Sequence, residues 1–408
     1  MSLIKSIGAY KVLNSRGDWT VRVCVELEDG TKVSQTVPEG ASKGENEAIS
    51  VPVGDAIRNI SISIAPELVG KSPFDQRKID SLLLKLDGTE NKSNLGCNAI
   101  LPVSLGVTKS AAKSRSMPLY AYLKELYGST SEVKLPTPIF NILNGGKHAQ
   151  NGLSFQEFMV IPAMNFSYER KLEVGARCYK SLEEKLHLEG YSTGVGDEGG
   201  FAPKGMTTEK SLSFILESIK SAGFKPGEDV FLGTDVAAGS FYDVKKAKYI
   251  LSDEKKTLST EEFFDFYASL LERFPLIYVE DPLFESDFDS WTTFFDRFSK
   301  KTMVVGDDLV VTNTKMLNKA LEKKAINSVI IKPNQIGTLT ETFEFIHKAQ
   351  ENGLVTVVSH RSGETGEDTF IADLALAVGA DFIKSGAPAR GERVVKYNRI
   401  LEVYHDLT

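Results

Sequence analysis

The sequence predicts an α/β protein in which a (β/α)8 barrel is preceded by a smaller α+β domain. Six short apolar runs between Phe231 and Gly386 each end in an ionisable residue. After a first step of 45 residues, these ends recur at steps of 24–28 residues, the length of one strand plus one helix. The chain has 408 residues, which leaves roughly 130 beyond a barrel of typical size for a second domain.

The six runs have the composition of strands buried on both faces, because they are largely β-branched and apolar. They cover residues 231–235, 276–280, 303–307, 329–332, 355–360 and 382–384, and they end at Asp235, Glu280, Asp307, Lys332, His360 and Lys384. The C-terminal ends of barrel strands converge on one face, where the chemistry of such proteins takes place. We therefore expect three carboxylates, two lysines and one histidine to meet in one pocket.

The first part of the chain separates its strands from its helices. Residues 10–13, 20–27 and 31–37 alternate polar and apolar side chains, which predicts an antiparallel meander. A loop over residues 39–54 follows, and helical patterning then runs from about Val53 to Leu126. Two prolines in Leu135-Pro-Thr-Pro138 exclude regular structure, so we predict domains at residues 1–134 and 135–408. Helices are predicted in the barrel at residues 168–188, 259–274, 315–325, 338–352 and 368–378.

Composition excludes several classes of partner. Hydrophobic residues make up 41% and charged residues 25% of the chain, as in ordinary globular proteins. A net charge of −7 argues against nucleic acid or an anionic membrane as a partner. The three cysteines are odd in number and far apart, which argues against a disulfide framework and fits a reducing, cytoplasmic compartment. No apolar run approaches the length of a membrane-spanning helix, and the N-terminus lacks an apolar signal core.

The three carboxylates at successive strand ends indicate a cation site. Asp235, Glu280 and Asp307 would repel one another strongly without a cation among them. Oxygen ligands with room for water and substrate suit Mg²⁺ better than Zn²⁺. The alternative is that these side chains cap helices or pair with lysines.

Two lysines at strand ends are unusual, because burying an ammonium group is costly. Lys332 and Lys384 are expected to lower each other's pKa, since like charges in one pocket disfavour the charged form. A neutral amine near pH 7 is a proton acceptor, so one of them is a candidate general base. The alternative is two structural ion pairs with the same carboxylates.

Two glycine-rich segments and the histidines complete the candidate site. Gly194-Val-Gly-Asp-Glu-Gly199 has the letters of a dinucleotide fingerprint but lacks its strand and helix, so we interpret it as a loop that delivers Glu198. His148 lies in another glycine-rich loop and His360 at a strand end, so both are site candidates. The segment from Gly40 to Gly44 is either a mobile lid or a plain loop.

These residues stand within motifs that resemble the enolase family along nearly the whole chain. The matching segments include Lys332-Pro-Asn-Gln-Ile-Gly-Thr338, Ser359-His-Arg-Ser-Gly-Glu-Thr365 and residues 14–17, 40–42, 87–93, 143–146, 155–159, 196–200, 280–282, 306–309 and 384–390. The resemblance implies an enolase-type fold and the Mg²⁺-dependent, reversible dehydration of 2-phosphoglycerate to phosphoenolpyruvate, the phosphopyruvate hydratase reaction of glycolysis and gluconeogenesis.

The resemblance also implies a role for each site residue. Lys332 is mapped onto the base that removes the proton at C2 of the substrate. Glu198, assisted by Glu157, is mapped onto the acid that protonates the departing C3 hydroxyl. Glu157 is expected to raise the pKa of Glu198. Asp235, Glu280 and Asp307 are mapped onto the ligands of a tight Mg²⁺, and Ser42 onto a mobile loop that joins a second Mg²⁺. Substrate contacts are implied for His148, Gln156, Arg361, Ser362 and Lys384, and catalytic roles for His360 and Lys384 as well.

The small domain departs from the family pattern. Ser42-Lys43-Gly44 replaces the usual Ser-Thr-Gly, residues 50–53 replace a charged motif, and the chain ends at Thr408, earlier than the usual tail. The resemblance implies a homodimer or higher homo-oligomer, but these departures leave open which surface forms the contact between subunits.

Two further functions stay open: a paralogue acting on a related phospho- or phosphono-carboxylate, and a non-catalytic binding or scaffold protein.

Overall fold

A computed structural model describes residues 2–41 and 44–408. The strands are β1 (Ile4–Leu13), β2 (Trp19–Leu27), β3 (Lys32–Thr36), β4 (Thr137–Asn144), β5 (Glu157–Pro162), β6 (Val230–Asp235), β7 (Tyr242–Asp243), β8 (Lys248–Leu251), β9 (Lys256–Leu258), β10 (Leu276–Glu280), β11 (Met303–Gly306), β12 (Ser328–Ile331), β13 (Val355–Ser359) and β14 (Phe382–Lys384). The helices are α1 (Val53–Asn59), α2 (Ala65–Leu68), α3 (Gln76–Asp87), α4 (Cys97–Ser114), α5 (Leu119–Tyr127), α6 (Tyr168–Leu188), α7 (Thr208–Ser221), α8 (Thr260–Arg273), α9 (Phe288–Phe298), α10 (Thr314–Glu322), α11 (Pro333–Ile336), α12 (Leu339–Glu351), α13 (Phe370–Val378) and α14 (Gly391–Leu407).

The predicted meander is confirmed as an antiparallel sheet in the order β1-β2-β3. Val21, Val23 and Val25 alternate onto its inner face, where they are buried in the main hydrophobic core. Helix α4 covers this face and is buried along nearly its whole length, although Pro102 removes one backbone donor from its interior. The first turns of helix, α1 and α2, are joined by one turn of π-helix over Ile60–Ile64.

Eight strands close the predicted barrel in the order β10-β11-β12-β13-β14-β4-β5-β6. All neighbouring pairs are parallel except those of β5, which runs antiparallel to both β4 and β6. A loop without a long helix joins β4 to β5, so these strands form a hairpin rather than a crossover. The regular βα alternation therefore begins only at β6.

The long first step between strand ends has a structural cause. Strands β7, β8 and β9 form a separate antiparallel sheet between β6 and α8. This insertion explains why 45 residues separate the ends of β6 and β10, whereas later strand ends are 24–28 residues apart. The predicted barrel helices are all present, with ends that differ from the prediction by at most three residues.

The barrel interior is closed by a layer of large apolar side chains contributed by seven of the eight strands: Ile139, Met159, Ile161, Tyr278, Val305, Ile330, Val357 and Phe382, with Phe231 of β6 packed against it. This layer makes the barrel a packed core rather than a pore. Polar chemistry is consequently confined to the ends of the strands.

The small domain is attached to the C-terminal side of the barrel by buried polar contacts. Asp80 on α3 accepts hydrogen bonds from the backbone nitrogen and hydroxyl of Thr340, at 2.9 and 2.6 Å, in the first turn of α12. Lys92 forms a 2.6 Å ion pair with Glu341 beside it. The segment at Glu39 pairs with Gly363 through reciprocal backbone hydrogen bonds of 2.9 and 2.8 Å. These contacts bring the loop after β3 over the strand ends.

Candidate active site

The side chains that follow the strand ends surround one buried cavity. Its lining is drawn from the barrel, the two glycine-rich loops and the small domain: Gly40, Ala41, His148, Gln156, Glu157, Glu198, Asp235, Lys332, Ser359, His360, Arg361, Ser362 and Lys384. Glu280 and Asp307 are buried directly against Lys384 and Lys332. The structure thus brings the sequence-predicted residues of the described chain to one place. Ser42, the predicted ligand of a second metal, lies outside the described residues, as does Lys43.

Lys384 is the central cation of one half of the cavity. Its ammonium lies 2.8 and 3.0 Å from the two carboxylate oxygens of Glu280 and 3.1 Å from Oε2 of Glu157. Oδ2 of Asp235 is 3.6 Å away, and it also accepts a 3.1 Å hydrogen bond from Gln156. Burial favours the neutral amine, but the surrounding carboxylates raise the pKa of Lys384 well above its usual value.

Lys332 makes a similar contact in the other half. Its ammonium donates a short hydrogen bond to Oδ2 of Asp307, whose other oxygen accepts a 2.8 Å bond from Gln335. Burial lowers the pKa of Lys332, but the carboxylates of Asp307 and Glu280 together raise it above its ordinary value. Lys384 does lower the pKa of Lys332, as predicted, but nearby carboxylates raise the pKa of both lysines above its usual value, so the expected neutral amine is not what this arrangement favours.

The carboxylates fit a hard divalent cation by their chemistry. Burial raises the pKa of Glu280 to about 7 even though Lys384 opposes this, and Asp235 and Asp307 add to the repulsion. A divalent ion would relieve that repulsion with the oxygen ligands it prefers. In the described part of the chain, however, the groups whose ligand atoms lie within 4.8 Å of one another are His148, Glu157 and Glu198 in one cluster and Asp281, Asp307 and Asp308 in another.

Asp281 lies close to Asp307 and Asp308 for a structural reason. Its two oxygens accept hydrogen bonds from the backbone nitrogens of Asp307 and Asp308, at 3.0 and 2.8 Å. Asp281 therefore braces the turn after β11 and thereby orients Asp307. The ammonium groups of Lys384 and Lys332 lie among the three predicted ligands and offset their repulsion.

Glu198 faces this cluster from the glycine-rich loop. Its Oε2 accepts a 3.0 Å hydrogen bond from Asn141 and lies 3.3 Å from Nε2 of His360. Nδ1 of His148 lies 3.6 Å from Glu198 Oε1 and 3.5 Å from Glu157 Oε1. The two glutamates are thus neighbours, as predicted.

The direction of the pKa shifts in this pair is the reverse of the prediction. Burial and the charge of Glu198 raise the pKa of Glu157 well above its usual value. Burial acts on Glu198 too, but His148, His360 and Arg393 outweigh it and hold the pKa of Glu198 well below its usual value. The expected rise in the pKa of Glu198 is therefore wrong: the donors converge on Glu198, and the upward shift falls on Glu157 instead.

Arg361 and Ser362 form the opposite rim together with the small domain. The guanidinium of Arg361 is held by Glu47, and Gly40 lies so close that a Cβ there would be 2.0 Å from Nη2. The hydroxyl of Ser362 accepts a 2.7 Å hydrogen bond from the backbone nitrogen of Ala41. This rim is therefore assembled from both parts of the chain.

Several buried polar atoms at the site make no hydrogen bond within the described chain: both side-chain amide atoms of Asn144, Nδ1 of His148, Oε1 of Gln156 and Nε2 of His360. Buried polar groups in proteins are nearly always paired, so such a concentration indicates groups kept for a ligand. The remaining partners, Asn141, Glu47, Asp281 and Arg393, were missed by sequence reasoning. Glu47 shortly follows the glycine-rich segment, which was a usable signal, whereas nothing in the sequence distinguished Arg393 from a surface arginine.

Comparison with known proteins agrees with this geometry. Residues 132–408 match a family model described as "Enolase, C-terminal TIM barrel domain", and residues 4–123 match "Enolase, N-terminal domain". The chain belongs to the enolase family. An enolase of a Nitratiruptor species is 45% identical to it over 417 aligned positions, which span 100% of this chain and 97% of the relative.

Enolase membership is consistent with the chemistry that the cavity offers. Its lining includes two ammonium groups, of which that of Lys384 contacts Glu157, a glutamate pair, and an arginine with a serine. Such an arrangement can move protons at two places on one small anionic molecule. Within the described residues, no helix combines the length and hydropathy needed to cross a bilayer.

Proposed function

We propose that this enolase is a phosphopyruvate hydratase that reversibly dehydrates 2-phosphoglycerate to phosphoenolpyruvate. The observation that carries the proposal is a single cavity whose lining includes both the amine of Lys332 and the carboxylate of Glu198. The reaction removes a proton from C2 and hydroxide from C3, so it needs a base and an acid on different sides of the substrate. The cavity supplies both.

Lys332 is the group that takes the C2 proton, which requires a neutral amine; a cation held by Asp307 would compete with the ion pair that raises the pKa of Lys332. That proton is weakly acidic, because its loss puts a second negative charge on the substrate carboxylate. Mg²⁺ held by Asp235, Glu280 and Asp307 would supply the positive charge that stabilises this dianion. A lysine base that works with one or two Mg²⁺ ions is a known pattern of the wider enolase superfamily. Lys332 also depends on Asp307 and Gln335 for its orientation.

The glutamate pair completes the elimination. The C2 electron pair forms the C2–C3 double bond as the C3–O bond breaks, and the departing hydroxide leaves as water once it receives a proton. The upward pKa shift of Glu157 and the downward shift of Glu198 support Glu157 as the initial carrier of that proton, and we infer that transfer to the leaving oxygen passes within the Glu157–Glu198 pair. His148 lies within 3.6 Å of a carboxylate oxygen of both glutamates and is positioned to relay it.

The rim binds the phosphate in this proposal. Arg361 provides the planar fork suited to phosphate oxygens, and Ser362 provides a hydroxyl donor. Gln156 and Lys384 contact the carboxylate end, and Ser42 joins a second Mg²⁺ when substrate is bound. We infer further that the enzyme acts in glycolysis and gluconeogenesis in the cytoplasm as a homodimer or higher homo-oligomer, with domains divided at residue 134.

One assay tests the function. The protein is incubated with 2-phosphoglycerate and Mg²⁺, and the ultraviolet absorbance of the conjugated product is followed. We expect turnover that falls by about 10²- to 10⁴-fold in Lys332→Ala, since that is the usual contribution of a general base. Lys315→Ala is the matched control, because Lys315 is an exposed lysine paired with Glu90 on the surface.

The same assay separates the alternatives. Mg²⁺ binding without turnover would favour a paralogue that acts on a related phospho- or phosphono-carboxylate. Neither binding nor turnover would favour a non-catalytic scaffold. Equal activity in Lys332→Ala and the native protein would exclude Lys332 as the base.

A further inference from the structure

Arg393 is a fully buried arginine at the start of α14 that makes contact with three separate loops. Its guanidinium donates to Nδ1 of His360 at 2.6 Å and to the carbonyls of Arg361 at 2.7 Å, Ser362 at 2.6 Å and Asp197 at 3.0 Å. A longer contact of 3.5 Å reaches the hydroxyl of Ser15 in the small domain. Arginine is suited to such a position because its five donors stand in a rigid plane.

The contact with His360 settles the tautomer of that ring. A guanidinium has donors only, so Nδ1 of His360 must be the acceptor of the 2.6 Å bond and carries no proton. The single proton of the neutral ring then lies on Nε2, which is 3.3 Å from Oε2 of Glu198. That separation is long for a hydrogen bond, as catalytic contacts often are before substrate binds.

We propose that Arg393 is a positioning residue that fixes His360 as the Nε2–H tautomer and holds it against Glu198. His360 in this form donates to the glutamate pair rather than accepting from it. The inference rests on the proposed function for its catalytic meaning, since it assigns how the acid side of that reaction is oriented. Arg393 itself is not among the described side chains that line the cavity.

The charged groups around the ring support the assignment. Glu198 faces Nε2 and Arg393 faces Nδ1. The charge of Glu364, further along the same loop, raises the pKa of the ring. Burial lowers the pKa of His360 to about 4, with Arg393 contributing, so the ring is neutral at neutral pH and a definite tautomer exists.

Arg393 and the His360 ring are closely packed against Gly386. A Cβ built on Gly386 would lie 2.9 Å from Cδ of Arg393, 3.0 Å from Cε1 of His360 and 2.7 Å from the carbonyl oxygen of Glu198. Only glycine therefore permits the strand end, the ring and the arginine to meet. The same guanidinium donates to the backbone carbonyls of Arg361 and Ser362. Arg393 therefore positions both His360 and the rim that we assign to phosphate.

Nitrogen NMR of the full-length protein labelled with ¹⁵N-histidine tests the proposal directly. The chain has five histidines, so His360 is assigned by the signal lost in His360→Asn. We expect the native protein near neutral pH to show a protonated Nε2 and an unprotonated Nδ1 at this position. A proton on Nδ1 would overturn the proposal, and this measurement needs no variant of Arg393.

The variant Arg393→Gln tests the effect of this residue on activity. We expect it to redistribute the His360 tautomers and to lower kcat by about 10²-fold, the usual effect of displacing a catalytic group by about 1 Å, with a smaller change in KM. Arg399→Gln is the matched control, because Arg399 lies on the same helix but pairs with Asp373 away from the cavity. A folded Arg393→Gln variant with native kcat and a native tautomer would refute the inference.

The two proposals fail in different ways. A native protein that has the Nε2–H tautomer but does not dehydrate 2-phosphoglycerate refutes the proposed function and leaves the role of Arg393 intact. An active enzyme in which His360 carries its proton on Nδ1 refutes the role of Arg393 alone.

Discussion

The carboxylate of Glu47 meets the guanidinium of Arg361 as a two-pronged ion pair, with Nη1–Oε2 and Nη2–Oε1 distances of 3.0 and 3.2 Å. Both side chains are almost fully buried. One comes from the loop of the small domain and the other from the loop after β13. The pair therefore ties the two parts of the chain together at the rim that we assign to phosphate.

Glu47→Gln should weaken both stability and substrate binding. The substitution leaves a buried guanidinium with one charged partner fewer, which costs about 2–3 kcal/mol of unfolding free energy. We expect KM for 2-phosphoglycerate to rise more than kcat falls, because Arg361 loses its orienting partner. Chemical denaturation and steady-state kinetics measure the two effects, and Glu45→Gln in the same loop is the control. A lower KM would show that Glu47 competes with the phosphate instead.

Gly40→Ala should disturb the same rim through sterics alone. A Cβ at this position would lie 2.0 Å from Nη2 and 2.6 Å from Cζ of Arg361, so the guanidinium must move. A displacement of about 1 Å at such a site commonly lowers catalytic efficiency by about 10²-fold. Gly8→Ala is the matched control, since no atom lies within 4 Å of its built Cβ. Native kcat/KM in Gly40→Ala would show that Arg361 has no fixed role.

A divalent cation should stabilise the folded protein through the three strand-end carboxylates. Ligand binding at about 100 times its Kd adds about 2.7 kcal/mol to the unfolding free energy, so Mg²⁺ should raise the Tm of the native protein. Glu280→Gln should reduce that rise, because one ligand is lost. Glu261→Gln, an exposed glutamate paired with Arg297, should respond as the native protein does. An equal rise in Glu280→Gln would place the ion elsewhere.

Asp80 should make the contact between the small domain and α12 depend on pH. Burial raises the pKa of Asp80 from 3.8 to about 6, so between these values the folded state binds more protons than the unfolded state. The contribution of Asp80 to the unfolding free energy therefore falls as pH rises through this window. The unfolding free energy of Asp80→Asn should therefore rise relative to that of the native protein, by up to about 3 kcal/mol, as the pH is raised from about 4 to about 7.

Chemical denaturation at the two pH values measures this difference. Asp75→Asn is a control of opposite sign, because hydrogen bonding to Lys78 lowers the pKa of Asp75. Its substitution should lose stability relative to the native protein as pH rises. A difference between Asp80→Asn and the native protein that does not change with pH would contradict the burial argument.

Local sequence patterns were sufficient for most of the barrel. The six predicted strand ends lie within one residue of the ends of β6 and β10 to β14, because buried parallel strands and their helices repeat with a period visible in the sequence. The hairpin of β4 and β5 was not predicted. Their direction depends on which strands become neighbours, and neither the run of apolar residues nor its length contains that information.

The sequence by itself determined the fold class, the family and the set of side chains that gather at the strand ends. Only the tertiary structure decided how those side chains pair: Lys384 with Glu280 and Glu157, Glu47 with Arg361, and Arg393 with His360. It also decided the direction of the pKa shifts in the glutamate pair, upward for Glu157 and downward for Glu198. The physical reason is that charge interactions and desolvation depend on distances through space between residues hundreds of positions apart, whereas periodicity and motifs report only on neighbours along the chain.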